Sequence, residues 1–150
     1  MPVRLRAATP HDADALAALV HDAYVHYVER IGREPGPMTK DYHDVIEERQ
    51  VTVAEDDDGI AGLIVVGPTD DGFLIDNVAV HPTKQGSGIG RTLLEHAENE
   101  ARTAGYDSIY LYTNEEMTEN QALYARIGYV EYDRRVRLGL ARVYLRKQLV

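Results

Sequence analysis

Residues 78–97 read "VAVHPTKQGSGIGRTLLEHA", with Gly86, Gly88 and Gly90 set between an apolar run and an amphipathic one. Upstream, "FLIDNVAV" (73–80) is apolar at nearly every position, the pattern of a strand covered on both faces. Downstream, Ile89, Leu93, Ala97 and Ala101 recur at i+4 with Leu94 beside them, the stripe of a helix ending near Gly105. The stretch therefore predicts a strand, a tight glycine loop and a helix in immediate succession. Such a junction leaves the first helix amides unpaired and aimed at one spot, where the helix dipole adds partial positive charge. Glycines let an anion approach the backbone closely. The loop reads as a phosphate cradle, with Arg91 adding charge. The other reading is a tight turn that lets the helix pack on the sheet.

Outward from this junction the chain divides into short elements. "VRLRA" (3–7) alternates as a first strand. Thr9 is placed as a helix N-cap, Pro10 as the first helical residue and Asp12 three positions after the cap. Leu16, Leu19, Val20, Ala23 and Tyr24 follow helical spacing until "REPGPM" (33–38) stops the helix, and Thr39 starts a short second one. "QVTVAE" and "IAGLIVV" flank "DDDG" (56–59), a hairpin signal. "DDG" (70–72) makes a second turn. "SIYLYT" (108–113) is a strand, "ENQALYARIG" (119–128) a short helix, and "YVEYDRRV" with "RVYLRK" two closing strands. The expectation is one α+β domain over residues 1–150, with a mixed sheet of about seven strands and about four helices.

The 150 residues carry a formal net charge of -9 and no cysteine. Without cysteine there is no disulfide, thiolate metal site or cysteine nucleophile, which fits a reducing, cytoplasmic setting. The acidic balance argues against nucleic-acid binding. No apolar run reaches the ~18 residues that span a bilayer, so no membrane partner is expected. None of the six histidines has HExxH spacing, and His21 and His26 do not share a helix face, so no metal is expected.

The loop is not a P-loop, because Ile89, Gly90 and Arg91 follow Gly88 where Gly-Lys-Ser/Thr is needed. It is not a first-strand dinucleotide loop, because hairpins precede it. Position 85 is Gln, so Ser87 is not on a nucleophile elbow. The stretch instead resembles the central motif of the GCN5-related N-acetyltransferases, the GNAT superfamily, whose signature Gln/Arg-x-x-Gly-x-Gly/Ala is filled by Gln85, Gly88 and Gly90. "NVAVHP" is similar to the strand before that motif. "ENQALYARIGYVEYDRR" resembles the C-terminal motif, a helix with a tyrosine followed by Gly-Tyr/Phe. "VRLRAATPHDADALAAL" resembles the usual opening.

The resemblance implies a mostly antiparallel, twisted sheet with splayed central strands, and acetyl-CoA as co-substrate. It places the coenzyme pyrophosphate in the loop that begins at Gln85, on the amides of Gly86, Ser87, Gly88, Ile89, Gly90 and Arg91. The backbone of Val78, Ala79 and Val80 would pair with the pantetheine arm, and one amide there would polarise the thioester carbonyl. Tyr124 matches the tyrosine that lies near the coenzyme sulfur and is the candidate acid; otherwise it is a core aromatic. Asn120, one turn earlier, shares its face and is a candidate for the pantetheine arm, or else caps the helix.

The attacking amine must be neutral, although a free alkylamine has a pKa of ~10.4, so a base or a water chain is needed. Asp76 is the candidate base. It is a charged residue in mid-strand, of the same parity as Val78 and Val80, and a structural pairing is its other reading. The catalytic glutamate that some relatives place on this strand aligns with Leu74. With no cysteine, direct transfer in a ternary complex is expected rather than a covalent enzyme intermediate.

The loop "ERIGREPGPMTKDY" (29–42) is expected to shape the acceptor pocket through Arg33, Glu34 and Tyr42; its plainer reading is a proline-stiffened connection. The acceptor is expected to be an amine on a small molecule or peptide, and the net charge favours cationic ones. "RVYLRKQLV" is expected as an edge strand open to pairing in a homodimer. Two other classes remain: a non-catalytic acyl-CoA-binding regulatory module, which would bind coenzyme without releasing thiol, and a tyrosine-rich interaction protein, which would bind none.

Overall fold

Strand β1 (Arg4–Ala7) leads into a helix start built as its sequence expects: Thr9 N–H bonds to Asp12 Oδ2 at 2.7 Å, and Pro10 opens a 3-10 turn. The computed structural model describes residues 3–149. Helix α1 (Ala13–Tyr24) follows, and a second helix, α2 (Tyr27–Ile31), continues after a break. At the break the backbone bonding tightens from His21 O–Val25 N to Val25 O–Val28 N, which redirects the chain so that Tyr24 and Tyr27 both become buried. This break makes five α-helices among the described residues, one more than the sequence suggests. Helix α3 (Tyr42–Glu48) does not begin at Thr39. Thr39 closes a 3-10 turn by donating to Gly36 O at 2.7 Å, and Asp41 caps α3 by accepting from His43 N at 2.9 Å.

The remaining elements are β2 (Gln50–Asp56), β3 (Gly59–Thr69), β4 (Gly72–Val80), α4 (Ile89–Thr103), β5 (Ser108–Asn114), α5 (Thr118–Arg126), β6 (Val130–Arg137) and β7 (Leu140–Gln148). Both anticipated hairpins form, turning at residues 57–58 and 70–71. The seven strands order as β1-β2-β3-β4-β5-β7-β6, antiparallel throughout except where β4 meets β5. Strand β7, which carries most of "RVYLRKQLV", is therefore no edge: it lies between β5 and β6 because Val143 and Leu145 belong to the buried core. The edges are β1 and β6.

One face of the sheet packs on α4 through Leu93, Leu94, Ala97 and Ala101 against Ile64, Ile75, Ile109 and Leu111. Gly62 permits the close fit, since a Cβ there would stand 3.0 Å from Ala79 O and 3.1 Å from Leu93 Cδ1. The other face is covered over β2–β4 by α1 and α3. Over β5, β7 and β6 no helix covers it among the described residues. There the guanidinium carbons of Arg135 and Arg146 stand 4.4 and 5.0 Å over the rings of Tyr144 and Tyr110.

Strand β4 carries the feature that opens the sheet. Its register with β3 runs Ile75–Val66 and then Asn77–Val65, leaving Asp76 as a bulged residue with no partner. Its pairing with β5 covers only Phe73–Ile75 against Ile109–Leu111. Beyond the bulge the two parallel strands part.

Candidate active site

The glycine loop closes one end of this opening. His81 caps a 3-10 turn (Pro82–Lys84), and the chain then passes through Gly86 and Gly88 with φ of 84° and 90°. These left-handed conformations require glycine. A Cβ at either position would meet nothing, so within the protein the constraint is backbone shape and not crowding. Gly90 has no such constraint, and its Cβ would make an ordinary 3.6 Å contact with Val80. Thr92 N is the first amide to bond back along the helix, to Gly88 O at 3.0 Å. The amides of Ile89, Gly90 and Arg91 therefore have no helical partner. Gln85 Nε2 donates to Val80 O at 3.2 Å and braces the loop on the strand end, while Ser87 Oγ bonds to Lys84 O. Lys84 is held by Asp56 and Asp58 at 2.9 and 2.7 Å, and the exposed Arg91 at the helix start lies 3.4 Å from Glu95.

His81 N bonds to Ala61 O at 2.8 Å. By the alternation of an antiparallel ladder, Ala79 then directs its backbone to β3, while Val78 and Val80 turn theirs to the open side. Their carbonyls accept from Tyr24 Oη and Gln85 Nε2. The N–H groups of Val78 and Val80 face the opening. Of the three residues expected to pair with a ligand, Ala79 is committed to the sheet.

At the other end of the opening the walls enclose a cavity of about 220 Å³. It brings together Asp76, Val78, Asn120, Tyr124, Arg33, Glu34 and Tyr42, residues far apart in the chain. The glycine loop does not line it. Tyr124 is buried, its ring edge-on to Tyr129 at 5.8 Å. Burial, with a smaller effect from Tyr27, raises its pKa well above the ordinary tyrosine value, so it stays a protonated donor. Asn120 does not cap α5: the helix starts at Thr118 with Met117 at the cap, and Asn120 sits inside its first turn.

The bulge changes the position of Asp76. It does not share a face with Val78 and Val80, which pack with Phe73 and Ile75 on the α4 side. Two consecutive residues take the opposite phase, and the Asp76 carboxylate lies 3.5 Å from Tyr112 Oη. Burial is the main cause of an upward pKa shift at Tyr112, with Asp76 adding to it.

Tyr42 is buried, and its hydroxyl donates to Pro37 O at 2.7 Å. It thus shapes the 33–42 loop from behind as well as lining the cavity. On the α5 side, Arg30 Nη1 bonds to Glu119 Oε1 at 2.7 Å and Tyr27 Oη to Glu119 Oε2 at 3.2 Å. The Arg30 bond holds the Glu119 pKa at about 2. This clamp ties α2 to the helix that carries Tyr124. The hairpin tip, with Leu138 at φ 53° and Gly139 at φ 78°, brings Leu138 and Leu140 to the cavity. A Cβ on Gly139 would come within 3.0 Å of Arg33 Nη1.

Sequence reasoning missed Asn77, Tyr112 and Arg142. Asn77 was the more legible, being a second polar residue in an apolar strand. Tyr112 and Arg142 read as ordinary alternation.

A sheet parted between its two parallel central strands, with a glycine-led helix at the opening, defines the acyl-coenzyme A transferase architecture of the GNAT type. The model of the acetyltransferase (GNAT) domain matches residues 47–131, and the chain belongs to that family. It is 42% identical over 52 residues to an IAA acetyltransferase of Azospirillum brasilense, a match covering 35% of this chain and 34% of that protein. The PaiA N-acetyltransferase of Thermoplasma acidophilum, solved with coenzyme A, superposes with a TM-score of 0.83 at 17% identity, over 99% of both chains. A GNAT acetyltransferase of Staphylococcus aureus gives 0.81 at 16% identity, also over 99% of both. At such identities the likeness establishes the fold.

Proposed function

We propose that this chain is an acetyl-CoA-dependent N-acetyltransferase that moves the acetyl group directly to a primary amine. The observation that carries the reading is the parting of β4 from β5 after Ile75, which leaves strand N–H groups facing an opening between an anion-binding loop and a cavity. Buried N–H groups without partners cost ~1–3 kcal/mol each, so an amide-bearing ligand fits there. The amides of Ile89, Gly90 and Arg91 would take the pyrophosphate, and Val78 and Val80 N–H the pantetheine carbonyls.

In the transfer, Asp76, directly or through a water, takes a proton from the amine. The amine nitrogen bonds to the acetyl carbon and the carbon–sulfur bond breaks. Tyr124 Oη gives its proton to the departing sulfur and regains one through solvent from Asp76. The products are an N-acetyl amide and the free coenzyme thiol. Tyr124 has no hydrogen-bond partner among the described residues and lines the cavity, which leaves its proton available.

The test is calorimetric titration with acetyl-CoA, followed by thiol release with a panel of amines. The chain contributes no thiol background, having no cysteine. Binding and amine-dependent thiol release are expected. Binding without release for any amine would instead fit a regulatory acyl-CoA module.

A further inference from the structure

The charge lining the cavity differs in sign from the net charge of the chain. Although the chain is strongly acidic, three cations line the cavity, Arg33, Lys40 and Arg142, against two carboxylates, Glu34 and Asp76. None of the three cations forms an ion pair among the described residues, whereas Arg30 and Arg135 are held by Glu119 and Asp133 at 2.7 Å each. Arg142 is the most fixed of them. Its guanidinium carbon stands 4.2 Å over the ring of Tyr112, and the Tyr112 hydroxyl is 3.5 Å from Asp76. Strand pairing sets this arrangement, since Arg142 sits opposite Asn114, the residue two after Tyr112 on the same face of β5.

Guanidinium, tyrosine ring and carboxylate thus stand in series, spanning at most roughly 10 Å from Arg142 to Asp76 at hydrogen-bond and stacking distances. A guanidinium over a tyrosine ring spends none of its N–H donors on that contact, and its planar fork can take a carboxylate in bidentate fashion. An α-amino acid matches both ends: its carboxylate toward Arg142, its amine toward Asp76. Arg33 and Lys40 on the 33–42 loop add positive charge beside the same volume.

Resting on the acetyltransferase reading above, we infer that the acceptor is a free amino acid or a close aminocarboxylate, held through its acid group by Arg142. A cationic polyamine fits poorly, because its second charge would face unpaired cations.

Matched pairs test this: phenylalanine against phenethylamine, leucine against isoamylamine, methionine against 3-(methylthio)propylamine and histidine against histamine, each assayed by thiol release from acetyl-CoA with the wild-type chain. In at least one pair the amino acid should exceed its decarboxylated partner by about tenfold or more in kcat/KM, a carboxylate-to-arginine contact being a charge-assisted one. Arg142→Gln should then raise KM for that amino acid about tenfold or more and erase the preference. Arg142→Lys should restore only part of it, and acetyl-CoA affinity should stay within about twofold in both. Equal or faster turnover of every decarboxylated amine overturns the inference and leaves the acetyltransferase reading standing. So does thiol release with the amines but with no amino acid. Failure to bind acetyl-CoA at all would overturn both.

Discussion

The Tyr24 hydroxyl lies 2.8 Å from Asn77 Oδ1 and 3.0 Å from the Val78 carbonyl oxygen, so α1 grips β4 at the two residues that follow the Asp76 bulge. Asn77 extends the contact: its Nδ2 donates to Tyr42 Oη at 3.3 Å, and Tyr42 donates to Pro37 O. Burial raises the pKa of both tyrosines, so both hydroxyls remain protonated donors. The network fixes the 33–42 loop to the strand that opens the sheet.

Tyr42→Phe keeps the ring and removes one link of that network. It should lower unfolding free energy by about 1–2 kcal/mol, the cost of a buried polar group left without its partner. It should also raise KM for the amine several-fold while acetyl-CoA affinity stays within about twofold. Urea unfolding and initial rates check both, and a variant unchanged in stability and KM would remove the strut from the account.

Gly90→Asp probes the anion site without backbone strain, because Gly90 is not in a left-handed conformation. An acidic residue in the first turn of α4 favours the helix dipole, so the fold should hold or gain slightly. The same carboxylate should repel the coenzyme phosphates and weaken acetyl-CoA about tenfold or more by calorimetry. Undiminished affinity in the folded variant would place the phosphates elsewhere.

For the chemical step, Tyr124→Phe should cut kcat by roughly 10²–10⁴-fold, the usual contribution of a general acid. Coenzyme affinity should change little. The raised pKa keeps the phenol protonated past the ordinary value of about 10. Wild-type turnover should therefore persist through neutral and mildly alkaline pH, and any fall caused by Tyr124 deprotonation should begin above that value and be missing in the variant. Retention of more than about a third of wild-type kcat, with chemistry rate-limiting, would assign the proton to water.

Acid stability has its own signature. Asp12 has its pKa held at about 2, mainly by the hydrogen bond from Arg6 and further by Thr9 N–H. Lowered in the folded state, this group stabilises the fold fully above about pH 4 and loses that contribution as pH falls toward 2. Asp12→Asn should lower the melting temperature at neutral pH and flatten the acid limb within that window. A limb of unchanged slope would show that other carboxylates govern it.

Most element positions were legible because their causes lie within a few residues. Thr9, Pro10 and Asp12 build a helix start from local bonds, the two aspartate-rich turns fold back on themselves, and the stripe on α4 follows from its own spacing. The loop at Gly86 and Gly88 belongs to the same class, since left-handed φ is a property of the residue itself. The break after Tyr24 was not legible, because it is set by where two tyrosines find buried space.

By itself, then, the sequence determined the strand–glycine loop–helix junction, the hairpins and the family to which these motifs belong. The tertiary structure alone decided which face Asp76 occupies, because one unpaired residue in the β3–β4 register reverses the alternation that parity assumes. It also placed β7 inside the sheet and carried Arg142 onto Tyr112 beside Asp76. Those relations depend on pairing between strands far apart in the chain, and residue spacing along one strand holds no record of which neighbour lies across it.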